Sequence, residues 1–324
     1  MHFTRRQWLA ASAAGLATQA LPVFGQSWPA RPIRLISPYG AGGPSDILTR
    51  VLGESMATRL GQPVVVENKP GAGTRIANDL VAKAAPDGHT LLHAAAPIAI
   101  GESLYPNLPY DVRRSFEPIV STAIAPLFLV VNAAAPYRTL QEFVQWGKAN
   151  AKGFTFGSPG AGSAPHLTAE LFMRAADAKG VVAQFQGDAP ATTELLAGRI
   201  DATLTAIATA LPHIDAGKLR VLAVATEQRT PLHTATPTFV ESGLASVVGY
   251  GWYGLMAPAG TPAAVVQRLN AEANAALADA EVRRKVEAAG LQVRGGSAAE
   301  FRSFIEAEVK KWSQVIKAAG IKAD

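Results

Sequence analysis

The sequence predicts an α/β fold with mostly parallel sheets. Short apolar runs of strand length alternate with segments whose apolar residues recur at helical spacing, as in repeated β-α units. Start signals for helices stand between these runs, and no internal repeat or low-complexity tract interrupts the order. Hydrophobic residues make up 48% of the 324 residues, which excludes a disordered chain, and the length suggests two domains or one large one.

The predicted strands are short runs rich in β-branched and aliphatic residues. They cover residues 33–37, 64–67, 90–94, 128–131, 154–157, 182–185, 202–206 and 221–225. A further β-like run contains Trp252 and Tyr253. We interpret these two rings as packing in a core or hinge, with a ligand-facing aromatic as the alternative.

The predicted helices are marked by periodicity and by capping signals. Apolar residues recur at helical spacing over residues 47–60, and a second helix covers residues 75–84. Capping boxes, which pair an N-cap hydroxyl with a glutamate three residues later, are predicted at 139–142 and 297–300. Further N-cap candidates are Ser163, Asp188, Thr261 and Asp279.

The first 25 residues are predicted to be a signal peptide of the twin-arginine type. Arg5 and Arg6 precede an apolar stretch over residues 9–24, which ends in small or short residues before Gln26. The stretch is too short for a comfortable membrane span, which disfavours the alternative of an uncleaved anchor. We therefore expect a periplasmic protein that is exported and loses its signal peptide.

Three loops rich in glycine, serine or threonine each join a predicted strand to a predicted helix. They cover residues 38–46, 157–166 and 186–190. Glycines let a backbone approach a ligand closely, and helix N-termini present unpaired N–H groups, which suits a carboxylate or phosphate. Ligands of open α/β sheets gather at the carboxyl ends of strands, where these loops lie. Plain turn chemistry is the alternative for any one loop.

The sequence lacks the motifs that are typical of several enzyme classes. Without cysteine there is no thiolate nucleophile, and no lysine follows a glycine loop as in P-loops. Ser163 and His166 are candidates for the nucleophile and base of an exported hydrolase, although a serine at a helix start is more often a cap. The six histidines lack metal-ligand spacing, so we expect no metal and no cofactor. A net charge of +5 without a basic cluster disfavours nucleic acid as a partner.

Several segments together resemble one family. They read SWPARPIRLI at 27–36, PYGAGGPSD at 38–46, LGQPVVVENKPGAG at 60–73, AKAAPDG at 82–88, GSPGAGSAPHL at 157–167, LPHI at 211–214 and APAGTP at 257–262. In these segments the chain resembles the substrate-binding receptors of tripartite tricarboxylate transporters, the Bug family of periplasmic binding proteins. The resemblance covers essentially the whole mature chain.

The resemblance implies a two-lobed periplasmic-binding-protein (flytrap, type II) fold with a parallel-rich sheet in each lobe. Lobe 1 is expected to cover residues 27–125 and 250–324, and lobe 2 residues 126–249. The implied function is capture of a small organic carboxylate in the interlobe cleft for delivery to membrane transporter subunits, by a non-catalytic protein that we expect to be a monomer. A ligand sensor for a membrane signalling protein is the alternative role.

The candidate ligand-binding residues come from the three loops and from two further strand ends that the resemblance points to. They are Tyr39, Gly40, Ala41, Gly42, Gly43, Ser45, Ala95, Ser158, Gly160, Gly162, Ser163, His166, Gly187, Asp188 and Thr205. Alanines at 94–96 and Thr205-Ala206 stand where the family usually has more polar residues, and Arg75 replaces a small or amide residue. We therefore expect a ligand whose body is more apolar than citrate.

Overall fold

The structure is a computed structural model that describes residues 28–185 and 187–321, so the predicted signal peptide lies outside the described residues. The strands are β1 (Ile33–Ser37), β2 (Val64–Asn68), β3 (Thr90–Ala95), β4 (Phe116–Pro126), β5 (Phe128–Asn132), β6 (Phe154–Ser158), β7 (Gly180–Gln184), β8 (Ala202–Thr205), β9 (Leu219–Val224), β10 (Tyr250–Pro258) and β11 (Gln292–Val293). The α-helices are α1 (Pro44–Leu60), α2 (Arg75–Ala82), α3 (Pro97–Leu104), α4 (Leu140–Ala149), α5 (Ala164–Ala175), α6 (Asp188–Leu196), α7 (Ile207–Asp215), α8 (Ala263–Ala278), α9 (Ala280–Ala288) and α10 (Ala298–Ala319).

The strands form two sheets, and we call the surrounding halves of the molecule lobe 1 and lobe 2. The lobe 1 sheet has the order β11-β4-β10-β3-β1-β2, and the lobe 2 sheet has the order β7-β6-β8-β5-β9. The predicted α/β two-lobed fold is confirmed. The lobe boundaries at individual residues stay a prediction.

Both sheets are mixed rather than mostly parallel. β1 pairs in parallel with β2 and β3, and β6 pairs in parallel with β7 and β8. The pairings of β10 with β3 and β4, and of β5 with β8 and β9, are antiparallel. Antiparallel pairs occur where the chain passes from one sheet to the other. A strand that enters in this way does not follow a β-α-β crossover, which would place it parallel to its neighbour.

Hydrophobic side chains cover both faces of each sheet. In β1, Ile33 and Leu35 belong to one cluster of lobe 1, whereas Ile36 belongs to a second cluster on the other face. Lobe 2 likewise has two clusters, the larger of which packs the rings of Phe143, Phe154 and Phe172 together. Burying one such side chain stabilises the fold by about 1.5–3 kcal/mol, so each lobe has its own core.

Four of the six predicted helix N-caps are confirmed. Both capping boxes form, and the side chains of Ser163 and Asp279 accept hydrogen bonds from the first turns of α5 and α9. Two N-cap predictions are wrong by one residue. The N-cap of α6 is Gly187 and not Asp188, and the N-cap of α8 is Pro262 and not Thr261. The Thr261 hydroxyl instead donates to the Pro258 carbonyl, 2.8 Å away. Within the described ranges, no helix combines the length and apolarity that a bilayer span requires.

Candidate functional site

A cavity of about 350 Å³ lies between the two lobes. Its walls come from the segments after β1, β2 and β6 and from α3. The predicted site residues on these walls are Tyr39, Gly40, Gly162 and Ser163. The structure therefore brings together two glycine loops that are more than a hundred residues apart in the chain.

The lobes touch each other at several places, two of which involve a glycine at positive φ. A Cβ atom on Gly162 would overlap with Cδ1 of Leu104, which belongs to α3 in lobe 1. A Cβ atom on Gly290 in lobe 1 would lie 3.1 Å from Cβ of Ala208, near the start of α7 in lobe 2. In this structure the two lobes therefore approach each other closely at both positions.

Asp46 holds the first glycine loop in shape. Its carboxylate accepts hydrogen bonds from the Gly42 N–H at 3.0 Å, from Arg50 Nε at 2.9 Å and from Asn68 Nδ2 at 2.8 Å. The hydrogen bond from Arg50 is the main reason why the pKa of Asp46 falls to about 2, so this carboxyl stays ionised. Among the described residues, the N–H groups of Gly40, Ala41 and Gly43 have no protein acceptor.

His166 holds the second glycine loop in a similar way. Its Nδ1 accepts a hydrogen bond from the Gly162 N–H at 2.9 Å, and burial lowers the pKa of the ring, which keeps it neutral and able to accept. The Ser163 hydroxyl accepts from the backbone N–H of His166 at 3.3 Å and lies 3.2 Å from the Ser158 hydroxyl. The Ala161 N–H has no acceptor among the described residues.

The contacts of Ser163 and His166 are those of a helix cap and not of a nucleophile with its base. The hydroxyl meets the backbone of His166, while the ring nitrogen Nδ1 is engaged by an amide of the loop. In both glycine loops, a side chain four residues after a glycine accepts that glycine's N–H. This shared spacing is visible in the sequence, although Asp46 is not among the predicted site residues.

The third loop joins the site through Asp188, the first residue of α6. One of its carboxylate oxygens accepts a hydrogen bond from the Thr205 hydroxyl at 3.2 Å. Burial raises the pKa of Asp188, while the bond from Thr205 opposes that rise. The Gly187 N–H donates to the Pro159 carbonyl at 3.2 Å, which ties this loop to the second one.

Two tyrosines of lobe 1, Tyr39 and Tyr253, have raised pKa values. Burial and then the negative charge of Asp188 raise the pKa of Tyr253 to about 12. Burial, with a smaller contribution from Tyr253, raises the pKa of Tyr39 well above its usual range. Both phenols therefore stay neutral.

The sequence pattern leaves Tyr253 open between packing and a ligand-facing role. Trp252 is fully buried and donates from Nε1 to Glu308 at 3.1 Å, as a core residue does. Tyr253 faces the opposite side because successive side chains of a strand alternate between its two faces. Sequence spacing therefore separates the two rings, but it does not show which of them belongs to the core cluster with Glu308.

His93 supports Tyr253 from behind. The two rings stack at a centroid distance of 5.7 Å. Nδ1 of His93 lies 2.7 Å from the Thr49 hydroxyl, and Nε2 lies 3.0 Å from the Thr122 hydroxyl. Complete burial lowers the pKa of His93 to about 3, so the ring is neutral and positions Tyr253 through packing. No cluster of His, Asp and Glu side chains suited to a metal ion occurs in the part of the chain described by the structure.

The remaining predicted residues lie close to the same strand ends, at different depths. Ala95 is buried at the end of β3, directly opposite Tyr253 in the sheet. The buried hydroxyl of Ser45 makes no hydrogen bond within the described residues, and neither does that of Ser37 at the end of β1. Arg75 stands at the rim: its guanidinium lies 3.9 Å from the ring centroid of Tyr105, which lines the cavity.

Comparison with known proteins places this geometry in a family. The model of the tripartite tricarboxylate transporter family receptor matches residues 48–321. Protein BugT of Bordetella pertussis is 36% identical over 305 residues, which cover 94% of this chain and 94% of BugT.

Two solved structures resemble the whole described fold. The periplasmic binding protein BugD has a TM-score of 0.74 at 32% identity and is covered completely by 91% of this chain. A protein of R. palustris, solved with adipate, has a TM-score of 0.77 at 30% identity. The match again covers 91% of this chain and 100% of the other chain. The protein belongs to the tripartite tricarboxylate transporter family of receptors, the family of BugT and BugD.

Proposed function

We propose that this protein captures a small organic carboxylate between its lobes and delivers it to the membrane subunits of a transporter. The observation that carries this proposal is the cavity between two glycine loops, one from each lobe. The N–H groups of Gly40, Ala41 and Gly43 on one side and of Ala161 on the other have no acceptor among the described residues. Converging N–H groups at the starts of helices suit an anion.

The strength of such a clamp is sufficient for a receptor. A hydrogen bond to a charged group contributes roughly 1.5–3 kcal/mol. Micromolar affinity corresponds to about 8 kcal/mol of net binding free energy, to which these bonds contribute together with burial of the ligand body. A carboxylate that contacts both loops favours the closed state over the open one, since it binds only the closed state with both sets of donors. The adipate bound to the R. palustris relative supports the choice of ligand class.

We further propose that the protein is monomeric, non-catalytic and periplasmic, without a metal or cofactor. The cap geometry of Ser163 and His166 supports binding without chemistry. Export would follow from the twin arginines at Arg5 and Arg6. Replacing both with lysine should leave the full-length chain in the cytoplasm, as fractionation and mass analysis would show. Unchanged export of that variant would contradict the twin-arginine assignment.

The decisive experiment is calorimetry on the mature protein with a panel of carboxylates, together with mass spectrometry of the ligand released from natively purified protein. We expect one carboxylate per chain, bound with micromolar or tighter affinity and recovered unchanged. A protein that binds none of the carboxylates, or that converts its ligand, would contradict the proposal. A matched panel of neutral amides with the same skeletons is the control and should bind far more weakly.

A further inference from the structure

A groove that both lobes line runs between α5 and the end of α10. Two adjoining cavities of about 760 and 650 Å³ form it, and Arg174, Val315 and Ala318 line both of them. Small side chains along the walls leave this space unfilled, whereas protein interiors are densely packed. They belong to Ala175, Ala178, Ala318 and Ala319. The groove therefore exists only where the two lobes meet.

Apolar packing joins the two helices at the floor of the groove. Leu167 of α5 is fully buried and belongs to a core cluster of lobe 1, together with Trp312, Val315 and Ile316. Leu171, one turn later on α5, packs against the same cluster and also lines the groove. The groove thus lies over a contact between the lobes, and its width depends on how the lobes are arranged.

The groove carries positive charges without partners. Arg174, Lys179 and Lys317 line it, and all three side chains are exposed. None of these cations is within salt-bridge distance of a carboxylate in the part of the chain that the structure describes. Among the described lining residues, the one acid is Glu170, which lies 3.8 Å from Nε2 of His166. Burial raises the pKa of Glu170, so the walls of the groove offer little negative charge.

α5 connects this groove to the proposed ligand site. At the start of the helix, Ser163 and His166 hold the second glycine loop, and its last turn carries Arg174. Because a packed helix moves as a unit, displacement of the loop towards a ligand also displaces the wall of the groove. A partner that fits the groove therefore distinguishes one arrangement of the lobes from another.

We propose that this groove is the docking site for a membrane subunit of the transporter, which inserts an acidic, amphipathic segment. This inference rests on the proposed function, because a receptor delivers its ligand to such subunits. Acidic side chains would pair with Arg174, Lys179 and Lys317, and apolar ones would fill the space beside Leu171 and Val315. A membrane surface fits less well, because a flat bilayer does not enter a recess between two helices.

The test is photo-crosslinking in cells that contain the receptor and its membrane subunits. Gln314 is exposed on α10 and lines the groove, and p-benzoylphenylalanine takes its place as the probe. We expect an adduct with a membrane subunit, and mass spectrometry should locate it on a peptide rich in Asp and Glu. Adding Arg174→Glu and Lys317→Glu should lower the yield of this adduct by about tenfold or more, because like charges then face each other.

The control reverses two cations outside the groove. Lys148→Glu on α4 and Arg283→Glu on α9 change the net charge by the same amount, one in each lobe, at exposed positions. This pair should leave the yield of the adduct unchanged. The same probe at Gln267 of α8, which is exposed on lobe 1, should give far less of the adduct. Melting curves would show that both double variants fold.

Calorimetry keeps this inference apart from the proposed function. The protein with Arg174→Glu and Lys317→Glu should bind carboxylates as the wild type does. If carboxylates bind but the probe at Gln314 forms no adduct with a membrane subunit, or one that ignores the charge reversal, the inference is overturned and the proposed function stands. An adduct with lipid, together with loss of binding to phosphatidylglycerol vesicles in the double variant, would assign the groove to the membrane surface and overturn the inference as well. If no carboxylate binds, the proposed function falls on that measurement.

Discussion

His93 is a buried histidine whose charge state couples the fold to pH. Both ring nitrogens pair with threonine hydroxyls, and the ring stacks on Tyr253. In the folded protein its pKa is about 3, against 6.5 for an unperturbed histidine. Between these two values the unfolded chain binds a proton at this position and the folded chain does not, so the free energy of unfolding falls as the pH falls.

The first prediction concerns His93→Gln, which keeps a polar side chain and loses the titration. Each pKa unit corresponds to about 1.4 kcal/mol, so at pH 5 the wild type should have lost about 2 kcal/mol at this residue relative to pH 7.5. The stability gap between wild type and variant should shrink by that amount, as measured by urea unfolding at both pH values. A gap that is the same at both pH values would contradict the assignment, and His213→Gln serves as the control.

At the scale of elements, the second glycine loop combines a strained backbone position with an interlobe contact. Gly162 has a φ of +70°, a region that L-residues rarely adopt, and its Cα faces Leu104 of α3. Gly198 after α6 has nearly the same φ, +68°, but no heavy atom lies within 4 Å of a Cβ built there. The two glycines therefore share the backbone requirement and differ in the contact.

The second prediction compares Gly162→Ala with Gly198→Ala. Both should lose roughly 1–2 kcal/mol of stability because a side chain is unfavourable at positive φ. Only Gly162→Ala should also lose affinity, by about 1 kcal/mol or roughly fivefold, because its methyl group overlaps with Leu104 when the lobes close. Adding Leu104→Ala should restore the affinity but not the stability, and equal affinities of the two single variants would contradict this account.

At the scale of the whole molecule, ligand affinity depends on how readily the lobes close. Ala208 at the start of α7 is exposed, yet it faces Gly290 of lobe 1 at close range. A large side chain at this position fits lobe 2 by itself but occupies the gap that closure removes. The apparent affinity falls with the fraction of molecules able to close, so this position controls binding from outside the site.

The third prediction is that Ala208→Trp binds the ligand at least about tenfold more weakly, because overpacking of the closed interface costs about 1–3 kcal/mol. Small-angle scattering should show that saturating ligand compacts the wild type more than the variant. Ala149→Trp, at an exposed helical position of lobe 2 on α4, is the control and should behave as the wild type. Normal affinity in Ala208→Trp would show that this contact does not form on binding.

Local features of the molecule could be predicted closely from the sequence. The predicted strand at 33–37 matches β1, and the capping boxes at Thr139 and Ser297 form as expected. These features depend on residues that are close together in the chain, so the local sequence pattern is sufficient to predict them. The glycine loops after β1 and β6 were predicted for the same reason. Strand β7 begins two residues before its predicted start. It lies at the edge of its sheet, where exposed side chains weaken the hydrophobic pattern.

Sequence alone determined the α/β class, the family resemblance and the loops that face the cleft. Only the tertiary structure decided which strands pair in antiparallel, that β4 and β10 lie side by side, and that Asp188 accepts from Thr205. It also decided that Asp46 and His166 hold the glycine loops, while His93 supports a tyrosine. The physical reason is that these contacts join segments far apart in the chain, and the order of strands in the sheets sets their distance. No periodicity within a segment carries that information.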